Sequence, residues 1–390
     1  MVKSFSFSRI PKIIFGNGKI SELPGLAKAY GNDILLVTGA HSFIRSKHGE
    51  YLLNTFDIAG IQYHIAPINH EPSPEMIDHA VVRCRNLNIR LVVAIGGGSV
   101  IDAGKAISAM LDRTELVKEF IEGVGTREHP GSKLPFIAIP TTSGTGSEAT
   151  NNSVISQIGA LGFKRSLRHE NFIPDAAIVD PELTLQCPPN ITAASGMDCF
   201  TQLVEAYVSD QASSFTDILA LDGIGKLIKS LPRAWKWGQD IEARTGMSYA
   251  ALVSGICLAN TGLGVVHGFA SSIGGLFNIP HGVVCGTLMA PANAITVKKL
   301  RKQNSNHLAL AKYAELGKLF SEENQKSQDY YIDLFLSKLS EWAETMNIKH
   351  LGQYGIKSSD FGQIISLTGN KNNPVKLDKD DLREVLEARL

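Results

Sequence analysis

The segment from Leu91 to Lys105, LVVAIGGGSVIDAGK, constrains the fold of this chain more than any other. Its apolar, β-branched first part is typical of a buried parallel strand. Three glycines, Gly96 to Gly98, and then Ser99 follow, and helical spacing runs from Val100 to Leu111. A strand, a glycine turn and a helix start place backbone N–H groups where a phosphate can sit. The segment therefore predicts a nucleotide cofactor site, and a turn that serves packing alone is the alternative.

The first half of the chain alternates short apolar runs with helical stretches. We predict strands at Asp33 to Thr38, Gln62 to Ile68, Leu91 to Ile95, Phe136 to Ile139 and Ala177 to Val179, and helices at about Gly49 to Ala59 and Pro74 to Leu87. Strands separated by helices of this length predict a parallel sheet with right-handed crossovers. The first half is therefore expected to be an α/β domain.

Strand signals fade after about Pro189, and amphipathic helical stretches replace them. These are Met197 to Val208, Asp217 to Leu231, Glu242 to Ala259, Leu308 to Phe320 and Tyr330 to Thr345. We predict two domains, an α/β domain over residues 1–187 and an all-helical domain over residues 188–390. Ligands of such enzymes bind between the domains, outside the carboxyl ends of the strands.

Composition excludes several classes of protein. Formal net charge is zero, with Lys and Arg scattered, so nothing favours binding to nucleic acid. Five cysteines without a CxxC pair argue against a disulfide framework and for a reducing compartment. No apolar run is long enough to span a bilayer. The N-terminal segment lacks the apolar core of a signal peptide and reads as strands from Ser4 to Phe15. We expect a cytoplasmic protein with no membrane partner.

A second glycine- and threonine-rich segment, Pro140 to Thr150, also follows a predicted strand and so lies at the same sheet edge. Its hydroxyl groups could bind ribose or phosphate oxygens, and its glycines let the backbone approach a ligand closely. The hydroxyl-bearing residues are Thr141, Thr142, Ser143 and Thr145. An ordinary polar turn is the alternative, but two such loops at one edge favour a cofactor site.

The helical half contains a candidate metal site. Asp198 and Gln202, in a segment predicted to open a helix at Gly196, are four residues apart and share one helical face. His267 and His281 each stand beside glycine. One carboxylate and two imidazoles are a common ligand set for a catalytic divalent metal with an open coordination position. Hydrogen-bonded structural histidines are the alternative.

Two further residues have two interpretations each. Lys164 lies in the basic stretch GFKRSLRH, which is either a solvated surface turn or a contact to phosphate or ribose. Asp102 is three residues after Ser99, in the predicted first helical turn. It either interacts with the helix dipole or accepts a hydrogen bond from the cofactor.

These motifs resemble those of the iron-containing, or group III, alcohol dehydrogenases. The family's GGGSxxDxxK matches Gly96 to Lys105, PTTxGTGSE matches Pro140 to Glu148, DP matches Asp180-Pro181, GxD matches Gly196 to Asp198, GxxHG matches Gly264 to Gly268, PHG matches Pro280 to Gly282, and NP matches Asn373-Pro374. The matches run in order over essentially the whole chain.

The resemblance implies an N-terminal Rossmann-like parallel-sheet domain and an all-α C-terminal domain, with hydride transfer between NAD(P) and a small alcohol or aldehyde. It places the pyrophosphate at Gly97, Gly98 and Ser99, and lines the cofactor site with Thr141, Thr142 and Thr145, with Asn152 and Lys164 nearby. Asp102, from its place after Ser99, is counted with the cofactor-binding residues. It assigns Asp198, His267 and His281 to a divalent metal, Fe²⁺ or Zn²⁺, and to catalysis. A homodimer is expected, with the strands at Ser4 to Phe15 as a plausible dimer element.

Two positions depart from the family pattern. The family's histidine four residues after the aspartate is Gln202 here, and an amide oxygen is a weaker ligand than an imidazole. We therefore predict weaker or altered metal binding, with Gln202 or water completing the site. Ser271 replaces a second histidine, often assigned to proton relay, four residues after His267. Both changes keep open a metal-independent reductase of an enol or keto acid, similar to maleylacetate reductases.

The end of the first strand bears on the choice between NAD and NADP. Many NAD-preferring members have an aspartate there, whereas this chain has Gly39, followed by Ala40, His41 and Ser42. Because no carboxylate repels a 2′-phosphate, NADP is permitted, although NAD remains slightly favoured. Gly39 is counted with the cofactor-binding residues.

Two other classes of protein share enough of these features to be considered. A lyase resembling dehydroquinate synthase would have the same fold and use NAD transiently, but its denser basic phosphate-sugar pocket is absent from the sequence. A binding protein with a degraded metal site is the other. We expect the alcohol dehydrogenase activity.

Overall fold

The computed structural model describes residues 4–40 and 42–390, so His41 and residues 1–3 lie outside the described residues. The strands are β1 (Lys12–Phe15), β2 (Asp33–Gly39), β3 (Gln62–Ile68), β4 (Leu91–Gly96), β5 (Phe136–Pro140), β6 (Asn152–Gln157), β7 (Phe163–Arg168) and β8 (Ala176–Val179). The helices of the first half are α1 (Leu23–Lys28), α2 (Lys47–Ala59), α3 (Pro74–Cys84) and α4 (Gly98–Met110). Those of the second half are α5 (Pro189–Val208), α6 (Ser214–Lys236), α7 (Ile241–Thr261), α8 (Val265–Leu276), α9 (His281–Gln303), α10 (Leu308–Lys318), α11 (Gln328–Thr345), α12 (Phe361–Leu367) and α13 (Lys379–Glu387).

The first half forms a six-stranded parallel sheet in the order β1-β8-β5-β4-β2-β3. Strand β4 is apolar along its length because helices and loops cover both faces of the sheet, and alternate side chains enter two separate cores. Gly96 at the end of β4 pairs with Pro140 at the end of β5. The two glycine-rich turns therefore leave neighbouring strands at one edge, as the sequence predicts.

The second half is helical, and one large core joins its helices. The change from strands to helices occurs between β8 and α5, and the predicted boundary at 187/188 falls in this link. We keep that boundary as a proposal. The α/β plus all-α fold class is confirmed.

Three predictions about local structure need correction. Helix α5 begins at Pro189, so Asp198 lies in its interior instead of near its start. Lys164 lies on strand β7 of an antiparallel hairpin with β6 and is buried, so the solvated surface turn, one of its two interpretations, is wrong. Between Ser4 and Phe15 only Lys12–Phe15 is a strand.

The segment that precedes β1 reaches the helical half. Phe5 and Phe7 pack on Phe215, which lies in the first turn of α6, with ring centroids 6.2 and 4.8 Å apart. The backbone N–H of Ser8 donates a hydrogen bond to Asn260 Oδ1 on α7 at 2.7 Å. This segment thus joins the two halves, and its part in a dimer stays a prediction.

Within residues 4–40 and 42–390, no single helix has the length and apolar character needed to cross a membrane. Helices α7 and α8 meet those two criteria only when taken together, and they are bent by 96° at their junction.

Candidate functional site

A cavity of about 980 Å³ lies between the sheet edge and the helical half. The residues predicted for the site that line this cavity are Gly98, Ser99, Asp102, Thr145, Asn152, Lys164, Gln202, His267 and His281. Gly97, Thr141, Thr142 and Asp198 lie next to these residues but off the cavity wall, and Gly39 lies at the end of β2. The fold therefore brings the predicted cofactor and metal residues to one cleft.

The first glycine turn contacts the second directly. Gly97 is the N-cap of α4 in extended conformation, so the first N–H groups of that helix point out of the turn without intrahelical acceptors. A Cβ atom added at Gly98 would lie 2.7 Å from Thr145 Oγ1. Glycine at position 98 is thus required for the loop at 140–150 to pack against the helix start.

A buried lysine that sequence reasoning overlooked holds the second loop in place. Lys105 is fully buried, and its Nζ donates hydrogen bonds to the carbonyl oxygens of Ser147, Thr150 and Asn152 at 2.8, 2.8 and 2.7 Å. It also donates to Thr150 Oγ1 at 2.9 Å. Because Lys105 is part of the matched GGGSxxDxxK motif, its position one turn after Asp102 was the available signal.

Two buried carboxyl groups accompany Lys105. Burial raises the pKa of Asp102 to about 6 and that of Glu148 to about 7, against the opposing charge of Lys105. Burial in turn lowers the pKa of Lys105 to about 8. Asp102 Oδ2 accepts a hydrogen bond from the backbone N–H of Val154 at 3.2 Å, which ties the hairpin to α4.

The cavity wall next to the hairpin carries an ion pair. Lys164 Nζ lies 2.5 Å from Glu71 Oε1 and 2.6 Å from Oε2, and Ser156 Oγ donates to Glu71 Oε2 at 2.9 Å. Burial raises the pKa of Glu71, but the charge and hydrogen bond of Lys164 outweigh it and the net shift is downward. Sequence reasoning missed Glu71, which is ninety-three residues from its partner.

Donor atoms from three helices converge at the helical side of the cavity. Asp198 on α5 has its Oδ1 atom 3.4 Å from His267 Nε2 on α8 and 3.6 Å from His281 Nε2 on α9. Cys285 Sγ lies 3.8 Å from His267 Nε2 and 3.7 Å from His281 Nε2. The donor atoms of these four residues all lie within 4.8 Å of one another.

Glu205 fixes the orientation of His267. The two oxygens of this buried carboxylate take separate partners: Oε2 lies 2.7 Å from His267 Nδ1, and Oε1 accepts the Val266 N–H at 2.7 Å. A carboxylate at Nδ1 holds the proton on that nitrogen and directs Nε2 toward Asp198. Glu205 follows Asp198 and Gln202 along the same helix, a spacing that could have identified it.

The pKa values of the residues in this cluster are shifted strongly from their ordinary values. Burial raises the pKa of Asp198, but the charges of His281 and His267 outweigh it and lower the pKa to about 2. Burial lowers the pKa of His281 to about 4 despite the charge of Asp198. Burial raises the pKa of the Cys285 thiol to about 12. Burial lowers the pKa of His267, but Cys285, Asp198 and Glu205 outweigh it and raise that pKa well above its usual value. The cluster therefore has an ionised Asp198 carboxylate and a neutral His281 imidazole at neutral pH.

Gln202 is anchored by its amide nitrogen. Nε2 donates to the carbonyl oxygen of Thr145 at 3.0 Å and to Ser254 Oγ at 2.9 Å. Gln202 thereby links the cofactor-side loop to α7. Ser271, one helical turn after His267 on α8, lines the cavity.

The residues present fit a divalent metal. Asp198 Oδ1 is buried and has no hydrogen-bond partner among the described residues, although two imidazole Nε2 atoms face it. A buried acceptor normally has a hydrogen-bond partner. A buried carboxylate oxygen that has none and lies among other metal-ligating atoms is therefore consistent with a cation site. Imidazole, carboxylate and thiolate are all ligands of Zn²⁺.

The fold and the donor cluster define a class: two-domain enzymes with a parallel-sheet domain that faces a helical domain across the ligand cleft. The family model "Iron-containing alcohol dehydrogenase" matches residues 11–181, and "Fe-containing alcohol dehydrogenase family, C-terminal" matches residues 192–390. The chain therefore belongs to the iron-containing alcohol dehydrogenase family, and its activity is NAD(P)-dependent oxidoreduction of the alcohol dehydrogenase type.

Individual relatives agree over the whole chain. An NADPH-dependent butanol dehydrogenase from Clostridium saccharobutylicum is 32% identical over 386 residues, which cover 96% of this chain and 95% of the relative. The crystal structure of a 1,3-propanediol oxidoreductase superposes with a TM-score of 0.88 at 26% identity, covering 100% of both chains. A sulfoacetaldehyde reductase from Bifidobacterium kashiwanohense, solved in complex with NAD⁺, superposes with a TM-score of 0.86 at 25% identity, covering 99% of both chains.

Proposed function

We propose that this protein interconverts a small alcohol and its aldehyde, with NAD or NADP as the hydride carrier and Fe²⁺ or Zn²⁺ as the bound metal. The observation that carries the proposal is the convergence of Asp198, His267 and His281 on the cavity that the two glycine-rich turns border. Substrate would occupy that cavity between the metal ligands and the cofactor turns.

On the metal side, Asp198 would supply the negative charge, and His267 and His281 would supply nitrogen donors, with the metal displacing the proton from His267 Nε2. A divalent metal held there supplies Lewis acidity, which polarises the substrate oxygen and lowers the pKa of an alcohol. Glu205 keeps the His267 ring oriented and its Nε2 lone pair directed at the site. The Ser271 hydroxyl, at the cavity wall, is the chain's own candidate for exchanging a proton with the substrate.

On the cofactor side, the N–H groups at Gly97, Gly98 and Ser99 would hold the pyrophosphate at the start of α4. Thr141, Thr142 and Thr145 would surround the rest of the dinucleotide. Asn152 Oδ1 is buried without a hydrogen-bond partner among the described residues, which supports a role as acceptor for a ligand hydroxyl. Lys164 and Asp102 complete that wall.

Removal of the metal tests the proposal. We expect treatment with EDTA to abolish alcohol oxidation, followed by nicotinamide absorbance, and readdition of Fe²⁺ or Zn²⁺ to restore it. A metal-free preparation that keeps full activity would contradict the proposal and favour the metal-independent reductase.

The choice between NAD and NADP depends on Gly39. We propose that both dinucleotides are accepted, because relatives of both kinds are known: the butanol dehydrogenase is NADPH-dependent and the sulfoacetaldehyde reductase was solved with NAD⁺. A Cβ at Gly39 would meet only Ser42 Oγ, at 3.5 Å, among the described residues, so an aspartate fits there. We expect Gly39→Asp to lower kcat/KM with NADP at least about tenfold more than with NAD, by charge repulsion. Equal losses with both cofactors would contradict this role.

We further propose a homodimer in the cytoplasm. All five cysteines lie in the described part of the chain and are free thiols, which supports a reducing compartment. Light scattering of the purified protein measures the oligomeric state, and a monomer mass would contradict the dimer.

A further inference from the structure

We infer that the fourth protein ligand of the metal is the thiolate of Cys285, and that Gln202 serves the loop contact instead. The inference rests on the proposed function only in that the site must bind a divalent metal. It makes the ligand set Asp198, His267, His281 and Cys285, and it favours a borderline metal such as Zn²⁺ or Co²⁺ over harder ions.

The first argument is placement. Cys285 is four residues after His281 on α9, so both side chains leave the same face of that helix. Cys285 is fully buried, whereas the side chains of His267 and His281 are 11% and 25% exposed and line the cavity. The sulfur therefore lies behind the two imidazoles, and the cavity side of the cluster stays open to substrate.

The second argument is distance. Bond lengths of about 2.0 to 2.1 Å to nitrogen or oxygen and about 2.3 Å to sulfur imply donor separations of about 3.3 to 3.6 Å in a tetrahedral zinc site. The two Asp198–imidazole separations are 3.4 and 3.6 Å, and the two sulfur–imidazole separations are 3.8 and 3.7 Å. These four of the six donor separations are thus close to what one metal ion would require, and the other two lie within 4.8 Å.

The third argument concerns Gln202. Its amide nitrogen donates hydrogen bonds to the Thr145 carbonyl oxygen and the Ser254 hydroxyl. These bonds hold the amide between the loop at 140–150 and helix α7. A neutral amide oxygen is also a poorer ligand for Zn²⁺ or Co²⁺ than a thiolate. The loss of the family's histidine at position 202 therefore leaves Cys285 as the stronger remaining donor.

Metal binding at Cys285 requires the thiol to lose its proton. The S–H bond of Cys285 breaks, a bond between sulfur and the metal forms, and the proton is released to solvent. No oxidant or reductant is needed, because the metal keeps its charge.

Cobalt(II) substitution of the full-length protein tests the inference without relying on activity. We expect Co²⁺-loaded protein to show a sulfur-to-cobalt charge-transfer absorption, and the Zn²⁺-loaded protein to show an X-ray absorption shell from sulfur at about 2.3 Å. Cys285→Ser should abolish both signals and weaken Zn²⁺ binding more than about tenfold. The buried Cys257 is the matched control: Cys257→Ser should keep both signals.

Other outcomes are equally informative. Wild-type protein that binds Co²⁺ without the charge-transfer band overturns the role of Cys285 and leaves the proposed metal function intact, whether or not the variants fold. Gln202→Leu that weakens Zn²⁺ binding as much as Cys285→Ser, with the band absent, assigns the ligand to Gln202. No binding of Co²⁺ or Zn²⁺ at all, measured by equilibrium dialysis, overturns both the inference and the proposed metal function.

Discussion

At the residue scale, the geometry of the metal cluster depends on Glu205, a carboxylate that is not one of the proposed ligands. Glu205 bridges His267 Nδ1 and the Val266 N–H, so it fixes one ring and the start of the helix that carries it. Such outer partners set both the tautomer and the basicity of a ligand histidine.

Glu205→Gln should weaken Zn²⁺ affinity about 10- to 100-fold, since the amide can no longer accept hydrogen bonds at both positions. A competition titration with a chromogenic chelator measures this change. Glu322→Gln, at an exposed position on a loop, is the control and should leave the affinity unchanged. An unaltered affinity in the Glu205 variant would show that His267 is oriented by other contacts.

Glu148 makes a pH-dependent contribution to stability. Burial raises its pKa to about 7 from the ordinary value of 4.5, so the folded state holds this proton more tightly than the unfolded state. Stability therefore falls as pH rises through this range, and the full penalty is present above the folded pKa. Glu148→Gln removes the penalty.

We expect the free energy of unfolding of Glu148→Gln, relative to wild type, to increase by on the order of 2 kcal/mol between about pH 5 and about pH 8. Urea unfolding at the two pH values measures it, with Glu322→Gln as the reference. A difference that is independent of pH would refute the buried-charge explanation.

The sequence could predict only part of the site at this scale. Asp198, His267 and His281 follow from residue types beside glycines and from the family motifs. Glu71 and Cys285 could not be predicted, because their partners are distant in sequence or meet only when α5, α8 and α9 pack together. Residue type alone does not tell a packing cysteine from a ligand.

At the scale of elements, β4 and the turn after it are the most predictable part of the chain. A continuous apolar run identifies a strand that is buried on both faces, and the glycines mark where it ends. The hairpin of β6 and β7 was missed because Phe163–Arg168 contains three basic residues. One of them, Lys164, is buried in an ion pair with Glu71. Helices α8 and α9 were missed because glycine and serine interrupt the amphipathic pattern of α8, and glycine and proline that of α9.

Gly98→Ala should weaken dinucleotide binding about tenfold. The new Cβ would lie 2.7 Å from Thr145 Oγ1, so either the helix start or the second loop must shift. Fluorescence titration with the reduced dinucleotide measures the Kd. Gly25→Ala in α1, where a Cβ meets none of the described atoms within 4 Å, is the matched control. If both variants bind equally well, the close approach of the two turns is unimportant for the cofactor.

At the scale of the whole molecule, the loop at 140–150 packs closely against α7, where two glycines bring the backbones together. Gly146 has a left-handed φ of 62°, and a Cβ at Gly255 would lie 2.1 Å from the Gly146 carbonyl oxygen. Together with the bond from Gln202 to Thr145, this contact holds a loop of the α/β half against the helical half.

Gly255→Ala should therefore destabilise the protein by about 1 to 3 kcal/mol and raise KM for the dinucleotide, because the loop must move to admit the methyl group. Thermal unfolding and steady-state kinetics measure the two effects. Gly225→Ala in α6, where a Cβ has open space, should have neither effect. Loss of stability with unchanged KM would mean that the loop keeps its shape when α7 shifts.

The contact between Gly146 and Gly255 also has a consequence for recombination between relatives. A chimera that joins residues 1–187 of this chain to the helical half of another family member would need a glycine at the position that faces Gly146. Any larger residue there would place its Cβ atom against the Gly146 carbonyl oxygen and displace the loop. We therefore expect the two halves to be exchanged without loss only when the helical half has a glycine at this point of close backbone contact.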